Sequence, residues 1–150
     1  MKNKNLKLVK ANEKDFGKIA KIYSDEFSKP PYNEPWTYKI ALKRIKDYSR
    51  YCDMWKLVLE KEIIGFFLVT TSRRYPGYAI FWEESAIKRE FQGKGYARFM
   101  VDEIKKIYGK QEFKYMEAIS NRKSKAFAIW KKLGAKVDKD AKIIRWRLKK

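Results

Sequence analysis

The sequence has 150 residues, 45% hydrophobic and 16% aromatic, enough for one compact domain with a real core and too few to expect two. Its 37 Lys plus Arg against 18 Asp plus Glu give a formal charge of +19, which attracts polyanions through counterion release and long-range steering. A single cysteine, Cys52, and no histidine exclude an internal disulfide framework and a zinc site of the usual Cys/His kind, so acid–base chemistry falls to other side chains.

Leu6 to Lys10 alternates apolar and basic residues with the period of a strand. Asn12 offers a helix N-cap ahead of Glu13, Lys14 and Asp15. Phe16, Ile19, Ala20, Ile22, Tyr23 and Phe27 then recur at helical spacing up to Ser28 and mark one buried face. Lys29-Pro30-Pro31 stops that helix, and the stiff, aromatic stretch from Pro30 to Trp36 reads as a wall over a cleft or an ordinary packed connection. From Thr37 a second helix carries Tyr38, Ala41, Leu42, Ile45 and Tyr48 on one face and ends near Tyr51-Cys52-Asp53. With no histidine to activate it, Cys52 reads as a packed or half-exposed thiol.

Trp55 to Leu59 and Ile63 to Thr70 read as two strands of a hairpin joined by Glu60-Lys61-Glu62, with Gly65 permitting a bulge or a close backbone approach. Arg73 to Gly77 breaks the pattern, and Tyr78 to Ile87 gives a third strand of the meander, interrupted by Glu83 and Glu84. After Gln92-Gly93-Lys94-Gly95 a helix from Tyr96 to Tyr108 buries Phe99, Met100, Ile104 and Ile107, with Gly109 as its expected C-cap. Two glycines in three residues followed by a helix start form a cradle for an anion, because the turn is tight and the first helical N–H groups lack partners. Phe113 to Ile119 reads as a strand, and a helix starting at Asn121 to Ser124 runs through Ala126, Phe127, Ile129, Trp130 and Leu133 to Gly134. Lys142 to Leu148 is expected to supply a final strand.

The order β-α-α-β-β-β-α-β-α-β is that of an α/β protein with a mixed central sheet and helices on both faces, and residues 1–150 are taken as one domain. No apolar run approaches the roughly 20 residues that span a bilayer, and the first five residues lead into no signal-peptide core. A cytoplasmic protein without a membrane association is therefore expected. The basic residues are spread along the chain, and no C2H2 finger, RNP1-like string or GxxG-loop module is present. That pattern favours a solvated lysine-rich surface over a specific nucleic-acid site.

Two blocks carry a family resemblance. Gln92-Gly93-Lys94-Gly95-Tyr96-Ala97 fits the Q/R-x-x-G-x-G/A signature, following a strand end at Ser85-Ala86-Ile87, and Trp130-Lys131-Lys132-Leu133-Gly134-Ala135 is similar to a Y-x-K-L-G-F block. In these, and in element order over nearly the whole length, the chain resembles the GCN5-related N-acetyltransferase (GNAT) family, which implies the GNAT acyl-CoA N-acyltransferase fold and acetyl-CoA as donor. The resemblance assigns the coenzyme A pyrophosphate to the N–H groups of Gly93, Lys94, Gly95, Tyr96, Ala97 and Arg98 behind Gln92, with the charges of Lys94 and Arg98 assisting. It assigns the pantetheine arm to the backbone of Ser85, Ala86 and Ile87, and an oxyanion donor to an N–H around Ala86 or Ile87.

The implied chemistry is direct attack of a neutral amine on a thioester in a ternary complex. A lysine-type amine with a pKa of about 10.4 is almost wholly protonated at pH 7, so a base must help, and carboxylates are what remain. Glu83, Glu84 and Glu117 are the candidates in that order, and strand alternation is expected to let only one of Glu83 and Glu84 face the cleft. Trp130 stands where the family often has a tyrosine acid, and an indole N–H is no useful acid. It is either cofactor lining or plain core. Asn121 lies two residues further from Trp130 than the family's spacing for its cofactor asparagine.

The acceptor is expected to be a primary amine, either a small molecule such as a polyamine or aminoglycoside, or a protein N-terminus or lysine. A homodimer is left open. Two alternative readings remain: a catalytically weak acyl-CoA-binding module, and a basic nucleic-acid-binding domain.

Overall fold

The computed structural model describes residues 5–149. Their contacts form two compact units, the first running to Ile119 and the second beginning at Ser120. In the first unit, β1 (Leu6–Lys10) is followed by a 3-10 turn (Glu13–Asp15), α1 (Phe16–Phe27) and α2 (Tyr38–Tyr48). Next come β2 (Asp53–Leu59), β3 (Glu62–Thr70), β4 (Ala79–Ile87), a second 3-10 turn (Arg89–Phe91), α3 (Tyr96–Gly109) and β5 (Tyr115–Ala118). The five strands lie in the sheet in chain order, the first three junctions antiparallel and the β4–β5 junction parallel.

Strand alternation divides the core between the two faces of the sheet. Met54, Phe66 and Leu68 pack with Ile19, Tyr23, Ala41 and Ile45 of α1 and α2. On the opposite face the indole N–H of Trp55 donates to the Tyr108 hydroxyl of α3 at 3.0 Å, and that hydroxyl donates to Asp53 at 2.6 Å. Gly65 serves the close approach expected of it, since a Cβ there would lie 2.8 Å from the carbonyl oxygen of Ala86. The β2–β3 register also slips beside it, pairing Leu57 with Gly65 and Val58 with Ile63.

The 3-10 turn that leads into α1 is held by reciprocal capping. Asn12 Oδ1 accepts from the Lys14 N–H, and Asp15 accepts from the Asn12 N–H at 2.9 Å. Asp15 also receives Lys56 Nζ from β2 at 2.8 and 2.9 Å, tying helix to sheet through a largely buried ion pair. Burial pushes the Asp15 carboxyl up, but Lys56 and the Asn12 N–H outweigh it and hold the group below its ordinary value of 3.8. Lys56→Met, which leaves Asp15 buried without its cation, is expected to cost about 2–3 kcal/mol at pH 7 in urea unfolding. A folded pKa below the unfolded one gives stability that is complete above pH 3.8 and is lost as pH falls through the folded value, so the variant's deficit should shrink under acid.

In the second unit, α4 spans Lys125–Lys132 with Ser124 as its N-cap, the Phe127 N–H donating to Ser124 Oγ at 3.0 Å. Gly134, at φ 96°, closes the helix as expected. Two expectations are corrected. Gly109 is the last residue of α3 and not its left-handed cap; the reversal falls at Glu112, with φ 67°. The strand expected over Lys142 to Leu148 does not form among the described residues. Its alternation is real, but a strand needs a ladder partner. Without one, Ile143, Ile144, Trp146 and Leu148 stay 70 to 93% exposed.

Candidate active site

β4 is the axis of the site. Along its length it pairs with β3, but β5 covers only its first half, from Ala79 opposite Tyr115 to Trp82 opposite Ala118. From residue 83 to 87 one edge of β4 has no strand partner among the described residues. Peptide groups on such an edge call for an extended ligand backbone to bond with. Ser85 and Ala86 lie half-buried on this stretch. The Ile87 carbonyl is already taken, accepting from Gln92 Nε2 at 2.7 Å.

Immediately beyond, the chain passes through the 3-10 turn into Gly93 and Gly95, both left-handed at φ 73° and 83°. Residues with a Cβ disfavour that region, which explains two glycines so close together. The first hydrogen bond of α3 is from the Phe99 N–H to the Gly95 carbonyl at 3.2 Å. Among the described residues, the six consecutive N–H groups of Gly93, Lys94, Gly95, Tyr96, Ala97 and Arg98 donate to no acceptor. Residues 92–95 are exposed, and a Cβ on either glycine would meet nothing within 4 Å. An open row of donors at the positive end of a 14-residue helix fits a diphosphate.

The three candidate carboxylates stand in different surroundings. Between β3 and β4 the register advances from Leu68 opposite Glu84 to Val69 opposite Trp82, so Glu83 is an extra residue in a bulge. The expectation that only one of the two glutamates faces the cleft rests on strict alternation, which the bulge interrupts at Glu83. Glu84 shares the face of Leu68, and Glu83 accepts from the Thr70 hydroxyl at 2.8 Å, two residues along the same face. Glu83 is, however, fully engaged: Arg73 Nε and Nη2 donate to its two oxygens at 2.6 and 2.9 Å. Glu117 on β5 is held the same way by Arg74, at 2.8 and 3.2 Å.

Glu84 has no ion-pair partner among the described residues. Its Oε1 accepts from the hydroxyls of Tyr23 at 3.3 Å and Tyr48 at 3.5 Å. Among the described residues its Oε2 receives no hydrogen bond. Burial is the main cause that raises its pKa to about 7; Glu34 adds to the rise, while the tyrosine hydroxyls and the charge of Arg44 oppose it. The surrounding tyrosines are themselves pushed up, by burial first and by Glu84 second, so they remain donors. Arg44 Nη2 donates to the Tyr48 hydroxyl at 2.9 Å, completing a chain from the exposed guanidinium to the carboxylate.

Sequence reasoning missed Tyr23, Tyr48 and Arg44 as parts of this site. Both tyrosines sit at apolar positions of their helices, and periodicity records only their rings. The signal available was the phenol tip on a core-facing position, together with Arg44 one helical turn before Tyr48. The connection between α1 and α2 is packed, with Trp36 edge-on to Tyr23 at 4.8 Å and Tyr32 edge-on to Phe27 at 5.1 Å. Cys52 is half-buried, and burial, Glu83 and Asp53 push its thiol up to about 12, which leaves it inert as a nucleophile.

Asn121 and Trp130 belong to the second unit. There Asn121 Oδ1 accepts from the Lys123 N–H at 2.9 Å, and the Trp130 carbonyl accepts from the N–H groups of Leu133 and Ala135. Among the described residues no helix is long and apolar enough to cross a membrane.

The sequence model of the acetyltransferase (GNAT) family matches residues 16–135. No curated protein matches the chain. Among solved structures, a possible acetyltransferase from Clostridium difficile 630 superposes with a TM-score of 0.81 at 15% identity, covering 98% of this chain and 100% of its own. A ribosomal-protein-alanine N-acetyltransferase from Brucella melitensis biovar Abortus 2308 gives 0.74 at 13% identity, covering 94% of this chain and 99% of its own. The aminoglycoside-modifying enzyme AAC(6')-Iy, in complex with a CoA bisubstrate analogue, gives 0.69 at 11% identity over 95% of this chain and 98% of its own.

Proposed function

We infer the reaction from one premise: the chain belongs to the acetyltransferase (GNAT) family, and so is an N-acetyltransferase that uses acetyl-CoA. The acceptor is a primary amine, deprotonated by Glu84 and acetylated by direct attack in a ternary complex. When bound, acetyl-CoA supplies an acetyl thioester as the electrophile. The N–H row from Gly93 to Arg98 holds its diphosphate, Lys94 and Arg98 add charge, and the unpartnered edge at Ser85 and Ala86 orients the arm.

The observation that carries the choice of base is the contrast among the carboxylates. Glu83 and Glu117 are locked in two-pronged arginine pairs, whereas Glu84 offers a free oxygen and a pKa of about 7. A base poised at the working pH is half ionised and still strong enough to take a proton. Tyr23 and Tyr48 hold Oε1, leaving Oε2 to face the ammonium directly or through water.

The test is a CoA-thiol release screen against polyamines, aminoglycosides and peptides with free N-termini or lysines. Release with at least one amine, dependent on Glu84, supports the reading. Tight CoA binding without release from any of them would favour a binding module, for which the replacement of the family's tyrosine by Trp130 speaks.

A further inference from the structure

Glu26, on the last turn of α1, is only 8% exposed, and the proposed chemistry does not use it. Its two oxygens are spent on the turn that leads into the glycine row. Oε1 accepts from the Arg89 N–H at 3.1 Å, and Oε2 accepts from Gln92 Nε2 at 3.0 Å, with Arg89 Nε at 3.9 Å. The same Gln92 nitrogen donates to the Ile87 carbonyl at the end of β4, and Arg89 Nη2 donates to the Pro30 carbonyl at 3.2 Å.

A buried carboxylate beside a cradle for an anion works against that anion by repulsion, and burying it costs free energy unless every lone pair is used. Its placement makes sense as a fastener. Helix α1 is fixed to the sheet by its apolar face, so Glu26 is a fixed point to which the turn between β4 and α3 is tied. Gln92 is bonded on one side to Glu26 and on the other to Ile87, which leaves the residues after it a single direction of departure. Through Arg89 the same tie reaches the connection between α1 and α2 at Pro30.

We propose that Glu26 is a positioning residue for the cofactor: by holding Arg89 and Gln92 it aims the N–H row of Gly93 to Arg98 at the diphosphate. The proposal rests on the reading that this row binds the diphosphate of coenzyme A. It also gives the first residue of the glycine block, Gln92, a side-chain role that backbone recognition alone does not require.

The experiment is calorimetric titration of CoA into the wild-type protein and the E26Q, Q92A and E26Q/Q92A variants, with thermal unfolding of each free protein. Gln at position 26 keeps the volume but has one acceptor oxygen for two donors, so its NH2 must face either the Arg89 N–H or Gln92 Nε2. E26Q is expected to weaken CoA binding by about tenfold to a hundredfold, the loss expected for hydrogen bonds to a charged group. Q92A should lose a similar factor, and the double variant should lose no more than the worse single one, because the two residues act as a unit. The unfolding midpoint of E26Q should stay close to that of the wild type, and amide exchange at residues 93–98 should quicken. E26D, which keeps the charge on a shorter arm, should fall between.

CoA affinity in E26Q equal to the wild type's, or losses in the two single variants that add in the double, would overturn the proposal. A loss of affinity matched by a general loss of stability would overturn it too. Failure of the underlying reading is separately visible, as wild-type CoA binding that Gly95→Trp does not disturb.

Discussion

Glu84→Gln is expected to lower kcat by about 10²- to 10⁴-fold while leaving CoA affinity unchanged, because it removes the proton acceptor and keeps its shape. The amide still accepts from Tyr23 and Tyr48 through its oxygen, so the α1/α2 face should keep its packing. The wild-type rate should climb with pH through about 7, as Glu84 ionises, and that limb should vanish in the variant. Glu83→Gln and Glu117→Gln are the controls, expected to act only through the loss of their arginine pairs. A Glu84→Gln enzyme with wild-type kcat would remove Glu84 from the mechanism.

The same substitution has a second signature in stability. A carboxyl at about 7 in the folded protein, against an ordinary 4.5, keeps a proton that the unfolded chain has lost. Between those two values stability therefore falls as pH rises, and above 7 the folded state carries the whole cost. That cost is on the order of 3 kcal/mol at pH 8, since one pKa unit corresponds to about 1.4 kcal/mol. Glu84→Gln removes it, so the crippled enzyme should be more stable than the wild type at pH 8 and equally stable near pH 4. Opposite movements of activity and stability at one residue mark strain kept for function.

Much of this was legible in the residues. The helical spacing from Phe16 to Phe27, the hairpin at residues 60–62 and the glycine block each carry their own local physics, and each appears where that physics puts it. What escaped has a common cause: it depends on partners that a sequence does not display. The bulge at Glu83 is set by pairing with β3, so strict alternation assigned the wrong rule to the two glutamates. The choice of Glu84 depends on Arg73 and Arg74 reaching back from the β3–β4 loop to occupy Glu83 and Glu117. Tyr23 and Tyr48 come from helices on either side of the connection between α1 and α2 and meet at Glu84. The segment from Lys142 to Leu148 is the reverse case, a strand pattern that forms no strand among the described residues.

Gly95→Trp is expected to weaken CoA binding by about a hundredfold or more, on the scale of losing several donors to a charged group. Two effects of the substitution have to be separated. At φ 83° any residue with a Cβ strains the backbone, which costs about 1–2 kcal/mol and tilts the N–H groups of the turn. Gly95→Ala carries that strain alone. A Cβ at this position meets no protein atom within 4 Å, so Gly95→Ala adds backbone strain without a steric clash, and unfolding of both variants is followed beside CoA binding. Any further loss of CoA affinity from Ala to Trp then measures bulk placed before the donor row. Gly65→Ala makes the contrast: its Cβ would lie 2.8 Å from the Ala86 carbonyl, so it should destabilise the fold and disturb the β4 edge together. Wild-type CoA affinity in both the Ala and Trp variants at position 95 would mean that the diphosphate binds away from the glycine turn, and both the cradle and the role given to Glu26 would go with it.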